Sequence, residues 1–253
     1  VHDSSQSGQT VFFEPEDLVH MNNEVKMADL EVEREIARIL AEMTRRVARK
    51  AEELLSCRER LVLLDFAQAR CLLAEELHAA EPAVGSSGEV NLLSARHPLL
   101  VLSRREVVPN DLRLGRPSLC LILTGPNAGG KTVALKTLGL LTLMAMAGLS
   151  IPAGADSTVS VFSRIFATLG DEQSVERDLS TYSAHIRRLN EILSAADRGS
   201  LVLLDEVVSG TDPREGAAIA RAFLETLADR EVRVLATTHF EELKGIAYED
   251  RRF

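Results

Sequence analysis

With 253 residues, 45% of them hydrophobic, the chain can fill the core of one large domain or of two modest ones. Its 38 acidic against 29 basic residues leave a formal net charge of −9, which excludes a protein that coats nucleic acid with its whole surface and leaves room only for a local basic patch. Cys57, Cys71 and Cys120 lack paired spacing, so neither a zinc site nor a disulfide framework is expected, and a reducing cytosol is the natural setting.

The chain opens at Val1 without a signal peptide, and its end at Arg251-Arg252-Phe253 suggests a piece excised from something longer. Residues 10 to 14, Thr-Val-Phe-Phe-Glu, predict a short strand closed by Pro15. From Asp29 to Leu77 there is neither Pro nor Gly. There Ile36, Ile39, Leu40, Met43, Val47, Leu54, Leu55, Leu61, Val62, Leu64, Leu72 and Leu73 recur at three- and four-residue spacing among Glu and Arg. The pattern predicts one long helix or a helical hairpin with a narrow apolar stripe, acting as a lever or as half of an antiparallel pair. Arg45-Arg46, Arg49-Lys50 and Arg58 are interleaved with Glu42, Glu52, Glu53 and Glu59, so they read as a solvated face and predict only weak, salt-sensitive DNA binding. The turn-rich run from Glu81 to Gly88 marks a domain boundary, with 1–84 a helical core or lever segment and 85–253 a layered α/β domain.

Leu119 to Leu123 predict a buried strand, and Val133 to Met146 a helix rich in Leu, Ala and Met. The apolar stretch from Val133 to Leu149 is broken by Lys136 and too short to span a membrane, so no membrane partner is expected. Between strand and helix, Gly125 to Thr132 read G-x-x-x-x-G-K-T, the phosphate loop. Gly125, Gly129 and Gly130 permit the torsions that turn amide N–H groups onto phosphates. Lys131 brings a compact positive charge to the outer phosphates, and Thr132 a hydroxyl for Mg²⁺. The predicted helix behind the loop turns its N-terminus to the anion.

Leu201 to Leu204 form a second buried-strand run that ends in Asp205-Glu206, where open α/β sheets place their ligands. Asp205 is the candidate for the Mg²⁺ shell and Glu206 for orienting and polarising an attacking water. A third apolar run, from Val232, ends in Thr237-Thr238-His239 and should neighbour the acid-bearing strand, so that His239 could reach a γ-phosphate. The plainer alternatives are strands that merely end in acids or in a structural histidine.

The order of these motifs, with Ser209-Gly210-Thr211-Asp212 between the second and third, resembles that of the ABC-class ATPases, in which two ATPs are sandwiched between two domains. Gly125-Pro126-Asn127-Ala128-Gly129-Gly130-Lys131-Thr132 is more narrowly similar to the loop of the MutS family, as are Arg96-His97-Pro98 and Val108-Pro109-Asn110-Asp111 upstream. Within that family the chain resembles the bacterial type-2 branch through Val1-His2-Asp3, Ser7-Gly8, Phe13-Glu14-Pro15, Gly170-Asp171-Glu172-Gln173-Ser174 and Leu179-Ser180-Thr181-Tyr182-Ser183.

The resemblance implies an ABC-class P-loop NTPase domain, a mixed sheet flanked by helices, preceded by a long helical lever. It implies ATP or ADP and Mg²⁺ as ligands. Gly125, Pro126, Asn127, Ala128, Gly129, Gly130, Lys131, Thr132 and Val133 would bind the nucleotide, Thr132 and Asp205 the metal, and Glu206, His239 and Lys131 would serve catalysis. Ser180 and Thr181 would open a helix aimed at the γ-phosphate held by the partner in a homodimer; an ordinary capped helix packing Tyr182, Ile186, Leu189 and Ile192 is the plainer reading. Val107 falls where mismatch-repair relatives carry an aromatic that stacks on adenine, so the base would receive only aliphatic contact. The transporter signature Leu-Ser-Gly-Gly-Gln is absent.

The same resemblance implies control of recombination on branched or mismatched DNA, contacted mainly through parts outside the chain, in the bacterial cytoplasm at the nucleoid. It leaves engagement of ribosomes open and places nuclease activity in a C-terminal Smr domain that 253 residues do not hold. Two alternatives stand beside it. One is a nucleotide-gated interaction scaffold with incidental hydrolysis, the other a different ABC-class head, for which the 73 residues between Lys131 and Asp205 leave no room for an inserted coiled coil.

Overall fold

The computed structural model describes residues 3–4, 11–12, 15–103, 106–125, 130–169, 178–208 and 212–253, with the backbone alone for 3, 4, 11, 12, 16, 17, 178–182 and 184. It divides into two compact units, Val1–Phe66 and Ala67–Phe253.

In the first unit, β1 (Asp3–Ser4) pairs antiparallel with β2 (Val11–Phe12). The carbonyl of Pro15 accepts the N–H groups of Leu18 and Val19 and so starts α1 (Glu16–Ala48). After Arg49 and Lys50 the chain resumes as α2 (Ala51–Glu76). Where the sequence predicts one long helix or a helical hairpin there are two consecutive helices, parted at a step that neither Pro nor Gly announces. Their apolar stripe is open to solvent: Ile36, Leu40, Met43, Val47 and Leu55 are each at least 50% exposed. Among the basic residues, Arg46 pairs with Glu42 at 2.6 Å and Lys50 with Glu53 at 2.7 Å, the solvated i, i+3 and i, i+4 pairs expected of such a face.

The second unit continues through β3 (Ala83–Gly85), β4 (Val90–Ala95), α3 (Pro98–Leu102), β5 (Asn110–Leu114), β6 (Cys120–Thr124), α4 (Lys131–Met146), β7 (Thr158–Ser160) and β8 (Arg164–Thr168). Then follow α5 (Asp178–Ala195), β9 (Ser200–Leu204), α6 (Pro213–Asp229), β10 (Arg233–Thr238), a 3₁₀ turn (Glu241–Gly245) and α7 (Ile246–Glu249). The unit begins ahead of the turn-rich run at 81–88. Leu77 is already buried, Ala80 bridges to Ile151, and β3 is a strand paired with β7.

Among the described residues the strands of the second unit form two four-stranded sheets in place of one mixed sheet. One is wholly parallel in the order β6-β10-β9-β8, and the other, β3-β7-β4-β5, mixes directions. The parallel sheet is covered on both faces, which is why its strands read as unbroken apolar runs. Val202, Leu204, Val234 and Ala236 point into a core shared with Leu189 and Ile192 of α5 and Phe223, Leu224 and Leu227 of α6. Their alternates Leu201, Leu203 and Leu235 point into the opposite core with Leu135, Leu138 and Leu141 of α4 and Leu92 and Leu112 of the second sheet. Apolar contacts on both sides of α4 explain a helix with little polar face. At one edge of the parallel sheet, β6, β9 and β10 all end, and the candidate site is built there.

Candidate functional site

Gly125 leaves β6 with φ +140° and Gly130 enters α4 with φ +78°, torsions that a side chain would resist. Between them, Pro126 to Gly129 lie outside the described residues. The Lys131 ammonium, on the first residue of α4, donates to the Gly125 carbonyl and so reaches from one end of the loop to the other.

Thr132 meets the acid strand. Its hydroxyl donates to the Asp205 carboxylate, lying 3.0 and 2.9 Å from the two oxygens. Neighbouring corners of an octahedron with metal–oxygen arms of about 2.1 Å are about 3.0 Å apart, so this oxygen pair fits Mg²⁺. Among the described residues no group of three or more His, Cys, Asp and Glu could hold a metal ion.

β10 lies between β9 and β6, so the strand ending in His239 neighbours the acid strand, as its sequence suggested. The fully buried Thr237 hydroxyl donates to Asp205 Oδ1 at 2.7 Å and accepts the Glu206 N–H at 2.9 Å. Glu206 itself sits in the left-handed region with φ +56°. His239 follows β10 on the same edge, exposed, its ring tilted against buried Phe240 with centroids 4.4 Å apart.

Ser180 and Thr181 fall in the first turn of α5, and their side chains, with that of Tyr182, lie outside what is described. Leu189 and Ile192 pack into the core as the plainer reading expects. One turn from Leu189, the His185 Nε2 bonds the Val207 carbonyl at 2.8 Å. Val107 lines a cavity of about 800 Å³ with Leu100, Val108, Asn110, Lys131 and Val133, a size ordinary for a small-molecule site. Close by in sequence, His97 has a buried Nδ1 without a partner among the described residues; burial, then the Lys136 charge, lowers its pKa. The stretches 170–174 and 209–211 lie outside the described residues.

Thr237 and His185 were missed from the sequence. Spacing held a signal for the second: positions 185, 189 and 192 share a helix face, so His185 belongs to the buried side.

Residues 121–252, more than half of the chain, match the family described as MutS domain V. The chain belongs to the MutS family. The matched span contains Lys131, Thr132, Asp205, Glu206 and His239. The MutS relatives similar to this chain include Endonuclease MutS2 of Geobacillus sp. (strain WCH70), 49% identical over 98% of this chain and 31% of that protein. Endonuclease MutS2 of Brevibacillus brevis is 49% identical over 98% of this chain and 32% of its own length. That of Caldanaerobacter subterraneus subsp. tengcongensis is 46% identical over 98% and 31%. The chain thus spans about a third of the length of the MutS2 proteins it matches. Among the described residues no helix is long and apolar enough to cross a membrane.

Proposed function

We propose that this chain is the ATP-binding and ATP-hydrolysing module of a MutS type-2 protein, an ABC-class head that dimerises around two ATPs. The observation that carries this reading is the direct contact of Thr132, from the phosphate loop, with Asp205, from a strand two places away in the sheet. A chance glycine loop would not meet a buried carboxylate there.

In this reading Lys131 brings its charge to the outer phosphates, and the α4 N-terminus turns the positive end of its dipole toward them. Thr132 and Asp205 would hold Mg²⁺, which when bound neutralises charge developing on the phosphates. Glu206 orients and polarises the water that attacks the γ-phosphorus, and His239 meets the γ-phosphate from the strand between. Val107, with Val108, offers the base an aliphatic wall. Ser180 and Thr181 reach the nucleotide held by the second copy. Hydrolysis opens the sandwich, and the helical segment α1 and α2 carries the motion to a DNA clamp made largely by parts outside this chain. Action on branched or mismatched DNA places the protein at the bacterial nucleoid, with ribosomes as a further partner and nuclease chemistry in a C-terminal Smr domain.

The test is steady-state ATP hydrolysis against protein concentration, with sedimentation of Glu206→Gln in ATP and Mg²⁺. The expected result is a specific rate that rises with concentration, a loss of about 100-fold or more in the variant, and an ATP-trapped dimer. Wild-type turnover and wild-type exchange between monomer and dimer in Glu206→Gln would refute the role given to that residue.

A further inference from the structure

Resting on the reading of Glu206 as the residue that orients water, we infer that His185 is its positioning residue, through the peptide that follows it. A left-handed glutamate is strained and persists only where its surroundings fix it. Here three successive peptide units are fixed. Thr237 Oγ1 accepts the Glu206 N–H at 2.9 Å, and the Thr237 carbonyl accepts the Val207 N–H at 3.2 Å. His185 Nε2 then takes the Val207 carbonyl at 2.8 Å. The first two bonds come from β10 and the third from α5, so the turn at Glu206 is held by two different elements.

The ladder with β10 ends at Leu204 opposite Ala236, and the Val207 N–H bond to the Thr237 carbonyl lies beyond it. The Val207 carbonyl belongs to a residue only 1% exposed, which removes water as a substitute partner. His185 is itself held firmly, since Leu189 at 3% exposure and Ile192 at 0% anchor the same face of α5 in the core. A Nε2–H donor on a fixed helix therefore sets the Val207–Val208 peptide. Without it the Val207–Val208 peptide is free to rotate, and the Glu206 carboxylate loses its aim while the phosphate loop keeps its shape.

The experiment measures kcat and KM for ATP, and Kd for a non-hydrolysed ATP analogue, in His185→Leu, His185→Asn and His185→Gln. Each change is also made in the Glu206→Gln background, with a melting curve for every variant. A glutamine amide nitrogen reaches the place of Nε2, whereas the shorter asparagine does not. The expected result is a fall of about tenfold in kcat for Leu and Asn, KM and Kd within about twofold to threefold, and recovery to about half or better in Gln. In the Glu206→Gln background the same changes cost less than about twofold, because the group they position is already gone.

Equal losses in both backgrounds, or a Gln variant as slow as a folded Asn variant, would overturn the inference and leave Glu206 in its role. Wild-type kcat in folded His185→Asn would do the same. Should His185→Leu fail to melt cooperatively, the Asn and Gln pair decides. Wild-type turnover in Glu206→Gln alone would remove the role of Glu206, and this inference with it.

Discussion

The Thr237 hydroxyl donates its only proton to Asp205 Oδ1 at 2.7 Å while its lone pair accepts the Glu206 N–H. One buried side chain therefore sets both acids, the first by its carboxylate and the second by its backbone. Thr237→Val keeps the shape and removes both bonds. It should cost about 1–3 kcal/mol of stability, since a donor and an acceptor lose their partner, and lower ATP turnover by about tenfold or more through loss of alignment. Thr237→Ser should restore most of both. Denaturant unfolding and turnover on the three proteins check this; a Val variant with normal turnover would show that the acids hold their places without it.

Thr132 and Asp205 make a prediction about metal rather than rate. If both face one ion, Thr132→Ala and Asp205→Asn should each reduce the ratio of ATP affinity in Mg²⁺ to that in EDTA by about tenfold, the loss of one bond to a charged group. The double variant should fall little further, because both changes remove contacts with the same ion. Asp205→Asn should also tighten binding in EDTA, since an uncompensated carboxylate beside phosphates repels them. Titration of a fluorescent ATP analogue with and without Mg²⁺ reads all of this. An unchanged ratio in either single variant would remove that residue from the metal.

What could be read from the sequence follows the range of the forces involved. β6 with α4, β9 with its acids, and β10 with His239 are each local patterns of apolar residues ending in chemistry, so spacing alone locates them. The second sheet was not legible because its strands are short and pair across long separations: Ala83 lies opposite Thr158 and Val90 opposite Leu114. The break at Arg49 and Lys50 carries no Pro or Gly. Thr237 looked like one more strand residue, and only the register of β10 against β9 brings its hydroxyl to Asp205. Arg233 was hidden inside an apolar run, where nothing local says that four carbonyls await it.

Cys120 separates the cysteines chemically. Burial pushes its thiol up to about 12, while Cys57 and Cys71 are exposed. At pH 8 a thiol reagent should label Cys57 and Cys71 in the native protein and add Cys120 only in denaturant. The raised pKa means that the folded state keeps the proton longer than the unfolded one. The stability tied to Cys120 is thus intact below the ordinary thiol pKa of about 8.5 and falls as pH climbs toward 12. Cys120→Val removes that group, so its stability should decline less steeply above pH 9 than that of the wild type. Equal slopes in urea unfolding, or labelling of Cys120 in the native state, would contradict its burial.

Arg233 begins β10 about 17 Å from the end of the strand that bears the candidate site, at some 3.3 Å per residue. Its guanidinium, on a residue 2% exposed, is held by carbonyls of Ser87 at 3.3 Å, Gly88 at 2.9 Å, Arg198 at 3.0 Å and Glu231 at 2.6 Å, with no carboxylate bonded to it among the described residues. It ties the loop before β4 to the base of the parallel sheet. Gly88 has φ +78°, and a Cβ there would stand 2.2 Å from an Arg233 terminal nitrogen. Gly88→Ala therefore combines a strained backbone with a displaced buried cation and should cost about 3 kcal/mol, of which about 1–2 is backbone. In Arg233→Met, which keeps the stem and removes the charge, the same Gly88→Ala change should cost only the backbone part. Turnover of the folded fraction should match wild type in both, since the acids and the phosphate loop stand at the other end of the sheet. A double-mutant cycle by denaturant unfolding measures the coupling; strictly additive losses would mean that Gly88 is required for its torsion alone and that the guanidinium has room to move aside.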